Sequence, residues 1–416
     1  MNRRELLLTG AAAVPFLSAA RVTSALAMAP SPNPHIYWMQ ASRYSQYIST
    51  PKESIDNPRA VGVAIAAYMK QIGHSSVDLG VRRGAHIDPV YAAQRLGPMV
   101  EGIRSGGIIC DMITTDLVEL GTPVPGDIEG QTAKPEDIIT AAARAGIKRY
   151  RATPVSLVTS DNGPYGDEVL AQLKAFGVKL KAMEALNKKL NIATAFHTFS
   201  GARFTASVSD FIYAAQGIDP NYIGFNYDTG HMFTEGTSGG WRTDFREAQR
   251  YWQAIALKDV GYDEPAAAAA GGGGGGRGGR GAAAADPAAA AAASAAAVQA
   301  SIARSKPTFV ARNVAGPGGG NISGNTTAGR LAWVKPGTGM VPFKDIFTML
   351  LQGKFNGPVE SQDEYNMNGY SMNGTFWPNG LPKEITREQM MANQKQDLDF
   401  WKSQAKAAGW TDAQMT

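Results

Sequence analysis

The chain has 416 residues, 44% of them hydrophobic, which is long enough for one large α/β domain or two ordinary domains with a sizeable core. Its formal net charge is only +4 and it has no long basic run, which argues against nucleic-acid binding. The single cysteine, Cys110, excludes an intrachain disulfide framework. Its apolar neighbours Ile108 and Ile109 predict a thiol packed within a strand.

Residues 1–27 have the pattern of an export signal. Arg3-Arg4 precede an apolar stretch that reaches about Ala20, and Ala25-Leu-Ala27 has the A-x-A pattern of a cleavage site. The paired arginines resemble a twin-arginine signal read by the Tat export machinery, and an ordinary secretory signal is the alternative. Because the apolar stretch is short and interrupted by Pro15, we expect no stable membrane anchor. We therefore predict a periplasmic or secreted bacterial protein.

After Pro34, periodicity and turn residues predict eight strands that alternate with helices. The predicted strands are His35 to Gln40, Ser76 to Leu79, Ile108 to Ile113, Ile147 to Ala152, Ile192 to His197, the strand that begins at Ile223, Ala254 to Asp259 and Gly357 to Glu364. The predicted helices are Arg59 to Ile72, Val90 to Arg104, Pro135 to Ala145, Glu168 to Leu190, Ser207 to Ala215, Trp241 to Trp252, Phe343 to Leu351 and Thr386 to Ala408. Gly73 and Gly146 should end two of these helices, and Thr386 with Gln389 should form a capping box.

Eight alternating units indicate a parallel sheet closed into a (β/α)8 TIM barrel. An open doubly wound sheet is the alternative, but its Gly-x-Gly-x-x-Gly turn is missing after the first strand. The barrel domain should cover residues 34–410.

One segment, Pro265 to Ser305, interrupts the pattern with a glycine run followed by an alanine run. Because it has no large apolar face to bury, we predict a disordered Gly/Ala-rich insertion between strand seven and its helix. Asp286-Pro287 would suit the start of a lone exposed helix within it.

The stretch Ile223-Gly-Phe-Asn-Tyr-Asp-Thr-Gly-His231 predicts a strand that ends at a carboxylate, turns at Gly230 and presents an imidazole. Alternation places its bulky residues on one face and its small or polar residues on the other, as suits a barrel strand whose bulky face meets helices. Asp228 and His231 suit metal or proton chemistry. A purely structural role, in which Asp228 caps the next turn, is the alternative.

Small residues followed by a polar residue also mark other inward strand faces. His197 follows Ala193 and Ala195, and Lys258 follows Ala254 and Ala256. Strand eight places Glu360, Gln362 and Glu364 on one face. Since barrel enzymes keep their chemistry at the C-terminal strand ends, these residues predict a polar functional site. Each residue also has a purely structural alternative: Lys258 could pair with a carboxylate, and His197 could be a core histidine whose ring nitrogens are hydrogen-bonded.

Several short motifs near the predicted strand ends form a set. They are Phe196-His-Thr-Phe-Ser-Gly201, Tyr227-Asp-Thr-Gly-His231 with Glu235-Gly236, Leu257-Lys-Asp259, Lys335-Pro-Gly-Thr-Gly339, Gly357-Pro358 through Glu364-Tyr365, Val77-Asp-Leu79, Gly84-Ala-His86, Met112-Ile-Thr-Thr115 and Tyr150-Arg151. In order and spacing they resemble the xylose isomerase-like sugar phosphate isomerase/epimerase superfamily. The resemblance implies a (β/α)8 barrel that binds a divalent metal and moves protons on sugars or keto-sugars.

The same resemblance implies a set of metal-binding positions. The family's glutamate, aspartate, histidine and glutamate on strands five to eight correspond here to His197, Asp228, Ala256 and Gln362, so only the aspartate is kept. His231 and Glu364 are near enough in sequence to complete a set. We therefore expect Asp228, His231, His197 and Glu364 to bind Mn²⁺ or Zn²⁺, the nitrogen ligands favouring zinc-like metals.

The remaining roles follow from side-chain chemistry at the same rim. Glu364 is the predicted proton carrier, Lys258 would stabilise negative charge on substrate oxygens, and His197 would assist catalysis. The predicted substrate-binding residues are His86, Arg151 and Trp241. These assignments describe an exported carbohydrate isomerase, epimerase or lyase. The alternatives are a non-catalytic carbohydrate-binding barrel and, remotely, a nuclease of the endonuclease IV type.

Replacement of Arg3 and Arg4 by lysine tests the export signal. Because the twin-arginine pathway reads that pair, the double variant should remain in the cytoplasm while the wild-type chain reaches the periplasm. Immunoblots of the cell fractions measure this distribution. An unchanged periplasmic yield would indicate an ordinary secretory signal.

Overall fold

Eight parallel strands close into a barrel in the computed structural model, which describes residues 33–41, 56–157, 165–199, 203–233, 240–263, 325–326, 329–367, 370–371 and 387–416. The strands are β1 His35–Gln40, β2 Ser76–Val81, β3 Ile109–Thr115, β4 Arg149–Ala152, β5 Ala193–His197, β6 Ile223–Asp228, β7 Trp252–Leu257 and β8 Asn356–Ser361. Each strand pairs with the next along the chain, and β8 closes the barrel by pairing with all of β1, from His35 opposite Asn356 to Gln40 opposite Ser361. The predicted (β/α)8 TIM barrel is confirmed.

One helix follows each strand on the outside of the barrel. The helices are α1 Pro58–Ile72, α2 Ala92–Ser105, α3 Pro135–Arg144, α4 Tyr165–Leu190, α5 Val208–Ala214, α6 Trp241–Ala248, α7 Phe343–Gln352 and α8 Arg387–Ala407. α1 shows how the sequence sets the ends: the Asn57 side chain accepts a hydrogen bond from the Ala60 N–H, and Gly73 ends the helix with φ of 82°. Among the described helices, none has the length and apolar character needed to span a membrane.

The predicted two-faced character of β6 is confirmed. On its outer face, the Phe225 ring lies 4.0 Å from that of Phe211 on α5, and the Tyr227 ring lies 5.0 Å from that of Phe245 on α6. The inner face carries Asn226 and Asp228, both fully buried. Burial of the outer face against two helices therefore fixes which residues of β6 line the barrel. Cys110 is likewise buried in β3, as predicted.

Several predicted boundaries differ from the structure by a few residues, and three of these differences lie in β7, in β8 and in the helix before β7. The helix expected to reach Trp252 ends at Ala248, because β7 begins at Trp252. Strand seven ends at Leu257 rather than Asp259, since Asp259–Asp263 forms a separate antiparallel strand. Strand eight ends at Ser361, and the chain then turns so that the Glu364 N–H bonds to the Gln362 carbonyl. Lys258 and Glu364 therefore lie just beyond the strand ends.

A small antiparallel sheet lies in the connection between β7 and α7. Asp259–Asp263 pairs with Gly329–Val334, which also pairs with Asn325–Thr326. The predicted insertion Pro265 to Ser305 lies outside the described residues, as do the signal segment, Glu235-Gly236 and Thr386 of the capping box. The domain limits and the insertion stay predictions.

A buried polar cluster joins α8 to the barrel. Gln40 at the end of β1 donates its side-chain N–H to Asp363 (3.1 Å), and Tyr365 donates its hydroxyl to Asp397 of α8 (2.7 Å). Asp363 and Asp397 also share a hydrogen bond with each other, which requires a proton on one carboxyl group. Burial raises the pKa of Asp363 to about 7, and burial together with the charge of Asp363 raises the pKa of Asp397 to about 8.

The raised pKa values of Asp363 and Asp397 predict that the contribution of this pair to the free energy of unfolding falls with rising pH. Between the ordinary aspartate pKa of 3.8 and about 8, this pair holds more protons in the folded chain than in the unfolded chain. Its contribution to the free energy of unfolding should therefore decrease across this window, by up to about 1.4 kcal/mol per pH unit for each proton. Chemical denaturation at several pH values measures the slope for the wild type and for Asp397→Asn, and the difference between the two slopes gives this contribution.

The matched control for that experiment is Asp399→Asn on the same helix, where the side chain is exposed. It should keep the wild-type pH slope. The same slope in Asp397→Asn and in the wild type would contradict a proton held by this pair.

Candidate active site

Asp228, at the C-terminal end of β6, is the centre of a buried polar group. Its Oδ1 accepts a hydrogen bond from the His231 N–H at 3.0 Å, which caps the turn of residues Thr229–His231. Its Oδ2 lies 3.3 Å from Nε2 of His197 and 3.0 Å from Nζ of Lys258. The capping role considered for Asp228 is confirmed and uses Oδ1, whereas its functional role stays a prediction that would use Oδ2.

Two threonines fix the backbone around this carboxylate. Thr198, directly after β5, accepts the Asp228 N–H on its hydroxyl oxygen at 2.7 Å. Thr229 accepts the Lys258 N–H at 3.0 Å and donates its hydroxyl to the Lys258 carbonyl at 3.1 Å. The ends of β5, β6 and β7 are thus joined by side chain–backbone hydrogen bonds, so the functional groups on them are held in a defined geometry.

Lys258 is a buried cation that links two carboxylates. Its Nζ lies 3.0 Å from Oδ2 of Asp228 and 2.9 Å from Oε2 of Glu364, and only 2% of the residue is exposed. The ammonium also lies 4.7 Å from the centre of the Trp333 ring, in a cation–π contact. The pairing of Lys258 with a carboxylate, considered from the sequence, is confirmed and involves two partners.

The charges of this group follow from its burial and its partners. Burial alone would raise the pKa of Asp228, but Lys258, His231 and His197 hold it well below its ordinary value. Burial alone would lower the pKa of Lys258, but Asp228 and Glu364 raise it. Burial and the charge of Arg151 lower the pKa of His197 to about 3, and burial and the charge of Lys258 lower that of His231 to about 4. At neutral pH an anion and a cation therefore stand beside two neutral imidazoles.

His197, Asp228 and His231 together could hold a metal ion. One ligand atom from each lies within 4.8 Å of the other two, and all three residues are buried. Two neutral imidazoles and one carboxylate match the ligand chemistry of catalytic zinc sites, which leave a fourth position open. The buried Nδ1 of His197 has no hydrogen-bond partner among the described residues. Glu364, the fourth predicted ligand, has Oε2 on Lys258, and its metal-binding role stays a prediction.

Two aromatic side chains that the sequence did not single out cover the imidazole of His231. Phe199 stacks on it with ring centres 4.8 Å apart, and Trp333 meets it edge-on at 4.9 Å. Trp333 belongs to the strand Gly329–Val334 and stands two residues before Lys335-Pro-Gly-Thr-Gly339. Its place next to that motif is the only sequence signal that points to it.

The three predicted substrate-binding residues lie in different surroundings. His86 follows β2, and its Nδ1 accepts the Gly80 N–H at 3.1 Å, so the neutral ring carries its proton on Nε2. Arg151 on β4 acts electrostatically on both His197 and His231. Trp241 begins α6 and belongs to the hydrophobic core, with Arg242 over its ring. All three roles stay predictions.

A second polar layer lies inside the barrel; the sequence indicated Glu360 and Gln362 on an inward face but not their contact with Asp78 of β2. Asp78 of β2 is fully buried, accepts the Thr114 hydroxyl at 2.5 Å and shares a hydrogen bond with Glu360 of β8. Burial and the charge of Glu360 raise the pKa of Asp78 well above its ordinary value. Glu360 Oε2 accepts side-chain N–H groups from Asn226 (2.9 Å) and Gln362 (3.0 Å). Gln362, at a metal position of the resembled family, thus bonds to a barrel carboxyl group.

Solved structures with the same fold cover nearly the whole chain. A putative sugar phosphate isomerase/epimerase from Anabaena variabilis is 13% identical with a TM-score of 0.52, over 90% of this chain and 99% of that one. D-psicose 3-epimerase from Clostridium cellulolyticum, solved with D-tagatose, is 11% identical with a TM-score of 0.50, over 89% and 99% of the two chains. A D-psicose 3-epimerase solved with D-fructose is 10% identical with a TM-score of 0.50, over the same shares.

These similarities concern the fold: the chain forms the same kind of (β/α)8 barrel as these solved structures. No protein-family model matches the sequence, and no curated protein matches it either.

Gly230 makes the close packing of this site possible, which a single substitution tests. A Cβ at this position would lie 2.8 Å from Cζ3 of Trp333 and 2.9 Å from Cβ of Lys258. Gly230→Ala should therefore displace one of these side chains and destabilise the fold by about 1–3 kcal/mol. Thermal and chemical denaturation measure the change.

Gly97→Ala is the control, because an added Cβ there meets nothing within 4 Å on helix α2. That substitution should change the stability by less than about 1 kcal/mol, because the preference for alanine in a helix is opposed by the steric restriction that Pro98 places on the residue before it. A Gly230→Ala variant as stable as the wild type would contradict the close packing of Trp333 and Lys258 against Gly230.

Proposed function

We propose that the rim site binds a small carbohydrate that carries a carbonyl group and transfers a proton at the adjacent carbon, as isomerases and epimerases do. The observation that carries this proposal is the position of Glu364. Its side chain is 19% exposed, and its carboxylate contacts Lys258, which belongs to the buried group of Lys258, Asp228, His197 and His231. A carboxylate is thereby presented to a substrate beside fixed positive charge. The sugar epimerases that share the fold support a carbohydrate substrate.

Glu364 is the proton carrier in this proposal. A general base must reach the proton that it removes, and among these charged groups Glu364 has the largest exposed fraction. The ion pair with Lys258 at 2.9 Å orients its carboxylate. Removal of a proton next to a carbonyl produces negative charge on the carbonyl oxygen, and a positive group placed there in advance stabilises it.

Lys258, Arg151 and His86 supply that stabilisation and hold the sugar. Lys258 and Arg151 carry positive charge toward the His197–His231 region, and the Nε2–H of His86 is suited to donate to a substrate hydroxyl. A divalent cation held by His197, Asp228 and His231 would add Lewis-acid stabilisation of the same oxygen. Mn²⁺ and Zn²⁺ are the candidates, and the two imidazole ligands favour zinc-like metals.

Hydrogen–deuterium exchange into candidate sugars tests the proposal directly. Ketoses and keto-glycosides would be incubated with the protein in D₂O, with and without Mn²⁺ or Zn²⁺, and followed by NMR. Deuterium should enter at the carbon next to the carbonyl. Glu364→Gln should reduce the rate about 100-fold or more, since general acid–base catalysis contributes 10²- to 10⁴-fold.

Glu247→Gln, an exposed substitution on helix α6, is the matched control and should exchange at the wild-type rate. Exchange that is equally fast in Glu364→Gln would refute the role of Glu364. Wild-type protein that exchanges none of the sugars would refute the proposed reaction class.

A carbohydrate-binding protein without catalysis is the second candidate. It is favoured by the ion pair of Lys258 with Asp228, because that pair neutralises the one carboxylate that the family's metal set retains here. Calorimetric titration with the same sugars separates the two functions, since the binding protein would bind a sugar without deuterium exchange. Either function would operate outside the cytoplasm if residues 1–27 direct export as proposed.

A further inference from the structure

We infer that the ammonium of Lys258 is a built-in competitor of the metal ion: Lys258 and a divalent cation are alternative partners of the same oxygen, Oδ2 of Asp228. Nζ of Lys258 lies 3.0 Å from that oxygen. The same oxygen faces His197 at 3.3 Å, within the group of three ligands that could hold a metal. This inference rests on the metal-binding part of the proposed function.

Coordination of a cation at this site requires the ammonium to move. Carboxylate oxygens bind Zn²⁺ at about 2.0–2.2 Å, so a metal on Oδ2 would meet the ammonium that already contacts it. The other oxygen, Oδ1, is engaged by the His231 N–H. A metal and Lys258 therefore repel each other at one oxygen, and binding of the metal includes the displacement of Lys258 from Asp228.

The lysine is held in this position by several independent contacts. Glu364 binds its ammonium at 2.9 Å, Trp333 covers it at 4.7 Å and Thr229 fixes its backbone through two hydrogen bonds. The absence of a side chain at Gly230 leaves room for its Cβ and Cγ. Because Glu364 remains as a partner, Lys258 can leave Asp228 without losing every counter-charge. The folded structure thus holds Lys258 where it competes with a metal ion for Asp228.

The charge of the site supports the same conclusion. With Lys258 in place, its ammonium contacts the carboxylates of both Asp228 and Glu364 and offsets one of their two negative charges. Without the ammonium, the same residues would present two carboxylates beside two imidazoles. That combination suits a divalent cation better. Lys258 therefore lowers the affinity of the site for metal.

Isothermal titration of the full-length protein with Mn²⁺ or Zn²⁺ tests the competition. Lys258→Met should bind the metal at least about tenfold more tightly than the wild type, which corresponds to ~1.4 kcal/mol. Lys395→Met, which removes an exposed lysine from helix α8, should keep the wild-type affinity. Addition of Asp228→Asn to Lys258→Met should abolish the gain, which assigns it to this site.

Circular dichroism verifies the fold of each variant, and Lys258→Gln, which keeps a donor for Asp228, replaces the methionine variant if that variant does not fold. Equal or weaker binding in the folded lysine variant, or no binding in either protein, would overturn the inference. Deuterium exchange into sugars is measured separately, so failure of the competition and failure of the proposed reaction are distinguishable.

Discussion

The buried ion pair between Lys258 and Asp228 is the interaction on which the geometry of the rim depends. Both residues are almost fully excluded from water, and burial of either charge alone would be strongly unfavourable. Each charge therefore requires the other, and the pair holds the end of β6 against the segment that follows β7. Glu364, His197 and Trp333 then take positions set by this pair. Loss of one partner of such a buried pair typically costs about 3–5 kcal/mol, because the other charge then stays buried without a counter-charge.

The interior of the barrel is more polar than that of a barrel filled with branched aliphatic side chains. Ala195, Ala254 and Ala256 contribute little volume, which leaves room for the hydrogen-bonded acids Asp78 and Glu360. Another polar group is formed by Tyr37, Asp111 and Arg149, joined by short hydrogen bonds and an ion pair. Buried polar networks of this kind hold strands in one register, because a shift would leave several charged groups without partners.

The sequence was sufficient for the barrel and for much of the rim. Alternation along β6 identified Asp228, and the motifs near the strand ends identified the other members of the group around it. What it did not show are contacts between strands. The bond between Asp78 and Glu360 depends on barrel closure, since β2 and β8 lie on opposite sides of β1. Trp333 reaches Lys258 from 75 positions further along the chain, through pairing of Gly329–Val334 with Asp259–Asp263. No local periodicity encodes such pairings.

The two carboxylate oxygens of Asp228 have different partners, so one aspartate could serve both the fold and the proposed chemistry. Its Oδ1 holds the turn that positions His231, and its Oδ2 holds a cation, which in the described structure is the ammonium of Lys258. An asparagine could retain the turn through its amide oxygen but could not balance a buried positive charge. The turn therefore needs only the acceptor, whereas the buried ammonium of Lys258 needs the full negative charge. Because Lys258 supplies that cation internally, the rim is organised before any metal or substrate arrives, and Glu364 is presented to a ligand in a fixed orientation.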